Sequence, residues 1–187
     1  MISIITRKLL MFVAVLFVLG LSGCNLLERT ESETIAVEGT WLLVHSDWAD
    51  EQWNITESSI TYQSVGDSET TTTYAADIVS FSNDGVNNAE SELVPDGTTE
   101  GLGYAVIRFT EVNGPATGEV GKYQIFRWGT NQDDSAARDF TQGFKNAGED
   151  WPGDAINEVF DTPEAAEAGA TIANGHFSFA STGAVLQ

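Results

Sequence analysis

The sequence predicts a mainly β protein, a small antiparallel β-barrel with one or two short helices inserted before its last strand. Three observations carry that expectation. From Gly39 onward, short runs rich in Val, Ile, Thr and aromatic residues follow one another with turn residues between them, as in an all-β sandwich or barrel. Apolar and polar residues alternate with period two in the clearest of these runs. Helix-start signals are confined to the stretch ahead of the final run.

Strands are expected at Thr40–His45, Gln52–Thr56, Ser59–Val65, Thr70–Ser82, Gly103–Glu111, Glu119–Trp128 and Gly175–Ala180. In the third, Ile60 and Tyr62 fall on one face while Ser59, Thr61 and Gln63 fall on the other. The pattern blurs in Tyr104–Phe109 and Lys122–Trp128, where both faces carry large residues. Such strands are buried on both sides, or face a core on one side and a ligand cavity on the other. A helix is expected at Ala136–Ala147, capped by Asp134 or Ser135, because Ala136, Phe140 and Phe144 recur at four-residue spacing. A second, Pro163 to Ala168, has Thr162 as its cap, proline at its first position, an early Glu164 and Gly169 as its stop. In the last run, Phe177 and Phe179 face one way and His176 and Ser178 the other. The connections Asn83–Leu102 and Gly129–Asp161 are long and polar, a length at which loops are functional or disordered.

Ahead of the β-rich part lie two segments of different character. Arg7 and Lys8 precede an uncharged apolar run from Leu9 to Leu21, shorter than a bilayer-spanning helix needs, and Leu21-Ser22-Gly23-Cys24 follows. These residues resemble the signal peptide and lipobox of bacterial lipoproteins. The resemblance implies cleavage before Cys24, the single cysteine of the chain, and attachment to a membrane through lipid on that residue. In those families an Asp after the cysteine retains the protein at the inner membrane; Asn25 implies the outer membrane of a two-membrane organism. Residues 24–38 are mostly Glu, Ser and Thr after Leu27 and read as a flexible tether, which leaves 39–187 as one domain.

Gly39-Thr40-Trp41, opening the first strand after that leader, resembles the Gly-x-Trp signature of lipocalins and lipocalin-like bacterial lipoproteins. The resemblance extends to Gln52-Trp53-Asn54-Ile55-Thr56 and Ser59-Ile60-Thr61-Tyr62 as an early strand-turn-strand, while the family's Asp-Tyr pair between late strands is not found. It implies an up-and-down barrel closed at one end by Trp41, with an arginine from a late strand across the indole, for which Arg127 is the candidate. Such a stack is worth about 0.5 to 2 kcal/mol. Trp41, Tyr62, Tyr104, Arg127 and Trp128 are the residues expected to close the barrel or contact a small apolar or amphipathic ligand. Plain core packing is the competing expectation for Trp41, Trp53 and Trp128.

Composition excludes other classes. Once residues 1–23 are removed, 28 acidic residues face only six basic ones, a formal charge of −22, and the basic residues are too scattered for the positive stripe nucleic acid requires. After lipidation of Cys24 no thiol remains for a disulfide or a thiolate metal site. His45 and His176 are the only neutral-pH bases, and neither sits in a nucleophile motif, so no enzyme and no cofactor are expected. Asp133-Asp134 and Glu149-Asp150 with Asp154 offer hard oxygen ligands without calcium-loop spacing, and no metal is expected. The alternative to ligand binding is a non-catalytic module that contacts an envelope protein or a saccharide through acidic loops and exposed aromatics such as Trp48 and Trp151.

Overall fold

A computed structural model describes residues 33–47, 49–66, 70–113, 118–146, 155–156 and 158–187. The strands are β1 (Gly39–Leu43), β2 (Asp50–Ile55), β3 (Ser59–Val65), β4 (Thr70–Ser82), β5 (Gly103–Val112), β6 (Tyr123–Thr130), β7 (Arg138–Gln142), β8 (Lys145–Asn146), β9 (Ala155–Ile156) and β10 (Ser181–Leu186). Among the described residues the one α-helix, α1, is Pro163–Gly169. β1 to β7 pair antiparallel in sequence order, and β10 closes the ring between β7 and β1. The result is the closed up-and-down antiparallel barrel that the sequence resemblance implies. β8 and β9 form a separate two-stranded pair. Among the described residues no helix is long and apolar enough to cross a membrane.

Local chemistry explains the clearest elements. At the β2–β3 turn the Thr56 hydroxyl accepts from the amides of Ser58 and Ser59, at 3.2 and 3.0 Å. This turn sets the register that places Trp53 opposite Tyr62 and Ile55 opposite Ile60. β4 carries register shifts between Ala75 and Ala76 and between Ile78 and Ser80. The second reverses its parity, so that Phe81 packs on the same core as Tyr74, Ala76 and Ile78. Gly103 on β5 lies flat beneath the Trp128 indole, where a Cβ would come within 2.2 Å of the ring.

Inside the barrel one buried cluster includes Trp41, Trp53, Ile60, Tyr74, Phe109, Phe126, Trp128 and Phe140. A second layer covers the outside of β5 and β6. There Val106, Ile125, Ala166, Ala170 and Phe177 are buried together, and the 83–102 connection adds Val86, Leu93 and Leu102. β6 is therefore buried on both faces, as its unbroken run of large residues requires. α1 begins as expected, with the Thr162 hydroxyl accepting from the Ala165 amide at 3.2 Å and Pro163 in the first turn.

Two expectations are corrected. The helix expected at Ala136–Ala147 is not formed over Ala136–Asn146: Arg138–Gln142 is β7 and Lys145–Asn146 is β8, and Ala147 lies outside the described residues. Four-residue spacing is even, so Ala136, Phe140 and Phe144 share a strand face as readily as a helix face. Ring closure requires a partner for both β6 and β10, and β7 supplies it. Gly175–Ala180 is likewise not the last strand. Gly175 (φ +84°) ends a short 3₁₀ turn at Ile172–Asn174, and Phe177 itself is left-handed (φ +57°), which no extended run accommodates. The strand that closes the ring is Ser181–Leu186. It meets β1 at Trp41 with Leu186 and Leu42 with Val185, and it meets β7 on either side of a register shift between Ser181 and Ala184.

The segment read as a tether ends in packed structure. Ile35 and Val37 are buried in the barrel core, and the Asn83 side chain bonds the Ala36 amide and the Thr34 carbonyl. Residues 1–32, with the segment read as a signal peptide and with Cys24, lie outside the described residues, as do Trp48, Glu149, Asp150, Trp151 and Asp154.

Candidate functional site

A cavity of about 470 Å³ lies inside the barrel. Its depth is walled by inward residues of five strands: Trp53 (β2), Tyr62 (β3), Tyr74 (β4), Phe126 (β6) and Phe140 (β7). Phe144 and Phe179 also line it, and Phe179 is 42% exposed, so the cavity reaches solvent beside that ring. The Thr141 hydroxyl donates to the Phe179 carbonyl and anchors that rim.

The aromatic wall is continuous because cross-strand partners stack. Trp53 and Tyr62 are paired in register and lie 5.3 Å apart at 23°. Tyr62 and Tyr74 follow at 5.4 Å. Across the barrel Trp53 meets Phe140 at 5.0 Å, and Phe140 stacks on Phe126 at 5.5 Å. Pairs of this kind contribute about 0.5 to 1.5 kcal/mol each beyond burial.

Glu51 is the charged group among the residues that line the cavity. It stands two residues before Trp53 on β2 and therefore shares its inward face. Tyr62 donates to Glu51 Oε1 at 2.9 Å. Glu51 Oε2 is buried without a hydrogen bond, and His45 Nε2 lies 3.8 Å from it. Burial, then the neighbouring Glu51 carboxylate, pushes both the Tyr62 and the Tyr74 phenols far above the ordinary tyrosine range. Both phenols therefore stay neutral at any physiological pH. Beside the cavity, Gln142 Nε2 donates to Gln124 Oε1 at 2.7 Å, and Gln124 Nε2 donates to the carbonyls of Gly143 and Glu158.

Of the five residues singled out in the sequence, Tyr62 alone lines this cavity. Trp41 and Trp128 are core residues: Trp41 packs edge-on to Phe140 at 5.7 Å and bonds the Val37 carbonyl, and Trp128 lies 6.3 Å from Phe126. Tyr104 and Arg127 are on the outer face of the barrel. The Tyr104 hydroxyl bonds Glu167 of α1, and burial with that bond pushes its pKa up to about 12.

Arg127 does not cross the Trp41 ring; the guanidinium over that indole is Arg138, at 5.7 Å. Arg127 alternates with Phe126 and Trp128 on β6, so when those rings point inward it must point out. Its fully buried guanidinium lies 3.6 Å above the Phe177 ring. It donates to Glu90 at 2.6 Å and to Asn87 at 2.8 Å. Glu90 accepts in turn from the Ile172 amide at 2.8 Å, and Asn87 donates to the carbonyls of Glu167 and Ala170. One arginine thus ties the 83–102 connection and the 167–177 segment to the barrel wall.

His176 is buried in this outer layer with Nε2 3.3 Å from Glu158, and burial holds its pKa below the ordinary histidine value. No group of three or more His, Cys, Asp or Glu side chains among the described residues is placed to hold a metal ion. Asp133 and Asp134 build the turn before β7: their amides donate to Asn131 Oδ1, and Asp134 Oδ1 accepts from the Ala136 amide. Comparisons with models of known protein families, with curated proteins and with solved structures return no match.

Proposed function

We propose that this chain is a lipid-anchored cell-envelope protein that binds a small apolar or amphipathic ligand inside its barrel and carries out no catalysis. The observation that carries the binding reading is the aromatic cavity of about 470 Å³ that reaches the surface beside Phe179. Its size falls in the range of small-molecule sites, roughly 300 to 1,000 Å³, and its lining is the apolar wall with few polar groups that such sites use. Eight strands enclose just enough room for one small ligand when side chains do not fill the interior. The anchoring reading rests on Leu21-Ser22-Gly23-Cys24.

Native mass spectrometry tests the binding reading on protein taken from its own envelope in polymer-bounded membrane discs, without detergent that would compete for the cavity. A stoichiometric small molecule released on denaturation is the expected result. A clean unliganded mass points instead to an interaction module that contacts an envelope protein or saccharide. Labelled palmitate incorporation that is lost in Cys24→Ala is expected for the anchor, and incorporation that survives the substitution removes it.

A further inference from the structure

The cavity is not evenly apolar, and its asymmetry points to a class of ligand. We infer that the barrel selects a cationic amphipath, an alkyl- or arylammonium whose apolar body lies against Trp53, Phe126 and Phe140 and whose charge is balanced by Glu51. This deepens the binding reading above and rests on it.

The charges come first. Among the residues lining the cavity Glu51 carries the only formal charge, and no lysine or arginine is among them. A carboxylate ligand placed there meets a like charge in a setting where water screens little, whereas an ammonium meets an opposite one. The second ground is the setting of that carboxylate. Tyr62 donates to Glu51 Oε1 at 2.9 Å, while the buried Oε2 makes no hydrogen bond and faces His45 Nε2 at 3.8 Å, an ion pair only when that imidazole is protonated. An ammonium in the cavity adds an opposite charge to this partly satisfied carboxylate.

Third, the remaining walls suit a cation as well as they suit hydrocarbon. Tyr62 and Tyr74 stay neutral phenols, and they join Trp53, Phe126 and Phe140 in presenting ring faces whose quadrupoles attract positive charge. Finally, the excess of 28 acidic over 8 basic residues raises the local concentration of cations around the whole molecule.

The test is calorimetric titration of the whole protein in membrane discs with three ligands that share one tail: hexyltrimethylammonium, hexanol and hexanoate. The ammonium is expected to bind at least about tenfold tighter than the alcohol, with hexanoate the weakest. Glu51→Gln removes one charge and leaves the acidic field of the molecule nearly unchanged, so it separates the local carboxylate from general attraction. In that variant the preference is expected to fall to about onefold, with hexanol affinity retained. Phe126→Leu keeps an apolar wall but removes a ring face, and is expected to weaken the ammonium more than the alcohol.

Equal binding of all three ligands, or a preference for hexanoate, overturns the cationic assignment and leaves the binding reading standing. A preference that survives Glu51→Gln unchanged also overturns it, because the general field then suffices. Binding by none of the three overturns both.

Discussion

Arg127 brings a full positive charge to a place water does not reach, and its neighbours explain why the fold tolerates it. Glu90 at 2.6 Å, Asn87 at 2.8 Å and the face of Phe177 satisfy the guanidinium from three sides. Replacing it leaves Glu90 partly buried and short of its counter-charge. Arg127→Met should therefore lower the unfolding free energy by about 3 to 5 kcal/mol in urea titration. Adding Glu90→Leu should recover part of the loss, since an apolar pair of similar volume is easier to bury than one charge alone. His176 gives the complementary case of a buried group that must stay neutral. Burial depresses its folded pKa below the value of the unfolded chain, so the unfolded state takes up its proton first as pH falls. The stability it contributes is fully present above about pH 6.5 and declines as pH drops through the depressed folded value. Urea midpoints measured from pH 7.5 down to 5 should show this decline, and His176→Phe should flatten it.

Among the elements, α1 offers the cleanest local test. Its seven residues depend on the Thr162 cap, so Thr162→Ala should cost about 1 kcal/mol, read as a lower urea midpoint at unchanged slope. How much of each element could be read from the chain depended on which periodicity was at work. β3 and β4 match their expected limits because turn residues bracket them and, in β3, apolar residues alternate cleanly. β7 was hidden because a four-residue repeat fits both a strand and a helix face, and only closure of the ring distinguishes them. Parity held information that the lipocalin-like signature overrode. Phe126 and Trp128 inward force Arg127 outward, while Arg138, two before Phe140, shares the inward face and reaches Trp41. Glu51 was readable in the same way, as an acid on the inward face of the strand that carries Trp53. Phe144 and Phe179 were not, because both stand in irregular backbone where no period predicts direction.

For the whole molecule, charge and closure set the behaviour. With 28 acidic and 8 basic residues, the surface repels itself. Raising ionic strength from 0.01 to 0.1 M shortens the screening length from about 30 to about 10 Å and should raise the melting temperature. Exposed pairs such as Arg108–Asp77 lose strength over the same range, but each is worth little. A flat or falling melting temperature would show that the acids are locally balanced. Closure is uneven around the ring. β5 and β6 are backed by a buried outer layer tied down through Arg127, while β10 meets β1 in two register pairs, Trp41 with Leu186 and Leu42 with Val185, and meets β7 across an irregular register. The barrel should thus act as a cuff with one clasp, its backed side staying shut while the clasp slips. Amide protons of Ser181–Leu186 should exchange with solvent well before those of β5 and β6, and the lining residues nearest the clasp, Phe179 and Ser181, would be the first to part when a guest too large for the resting mouth is admitted.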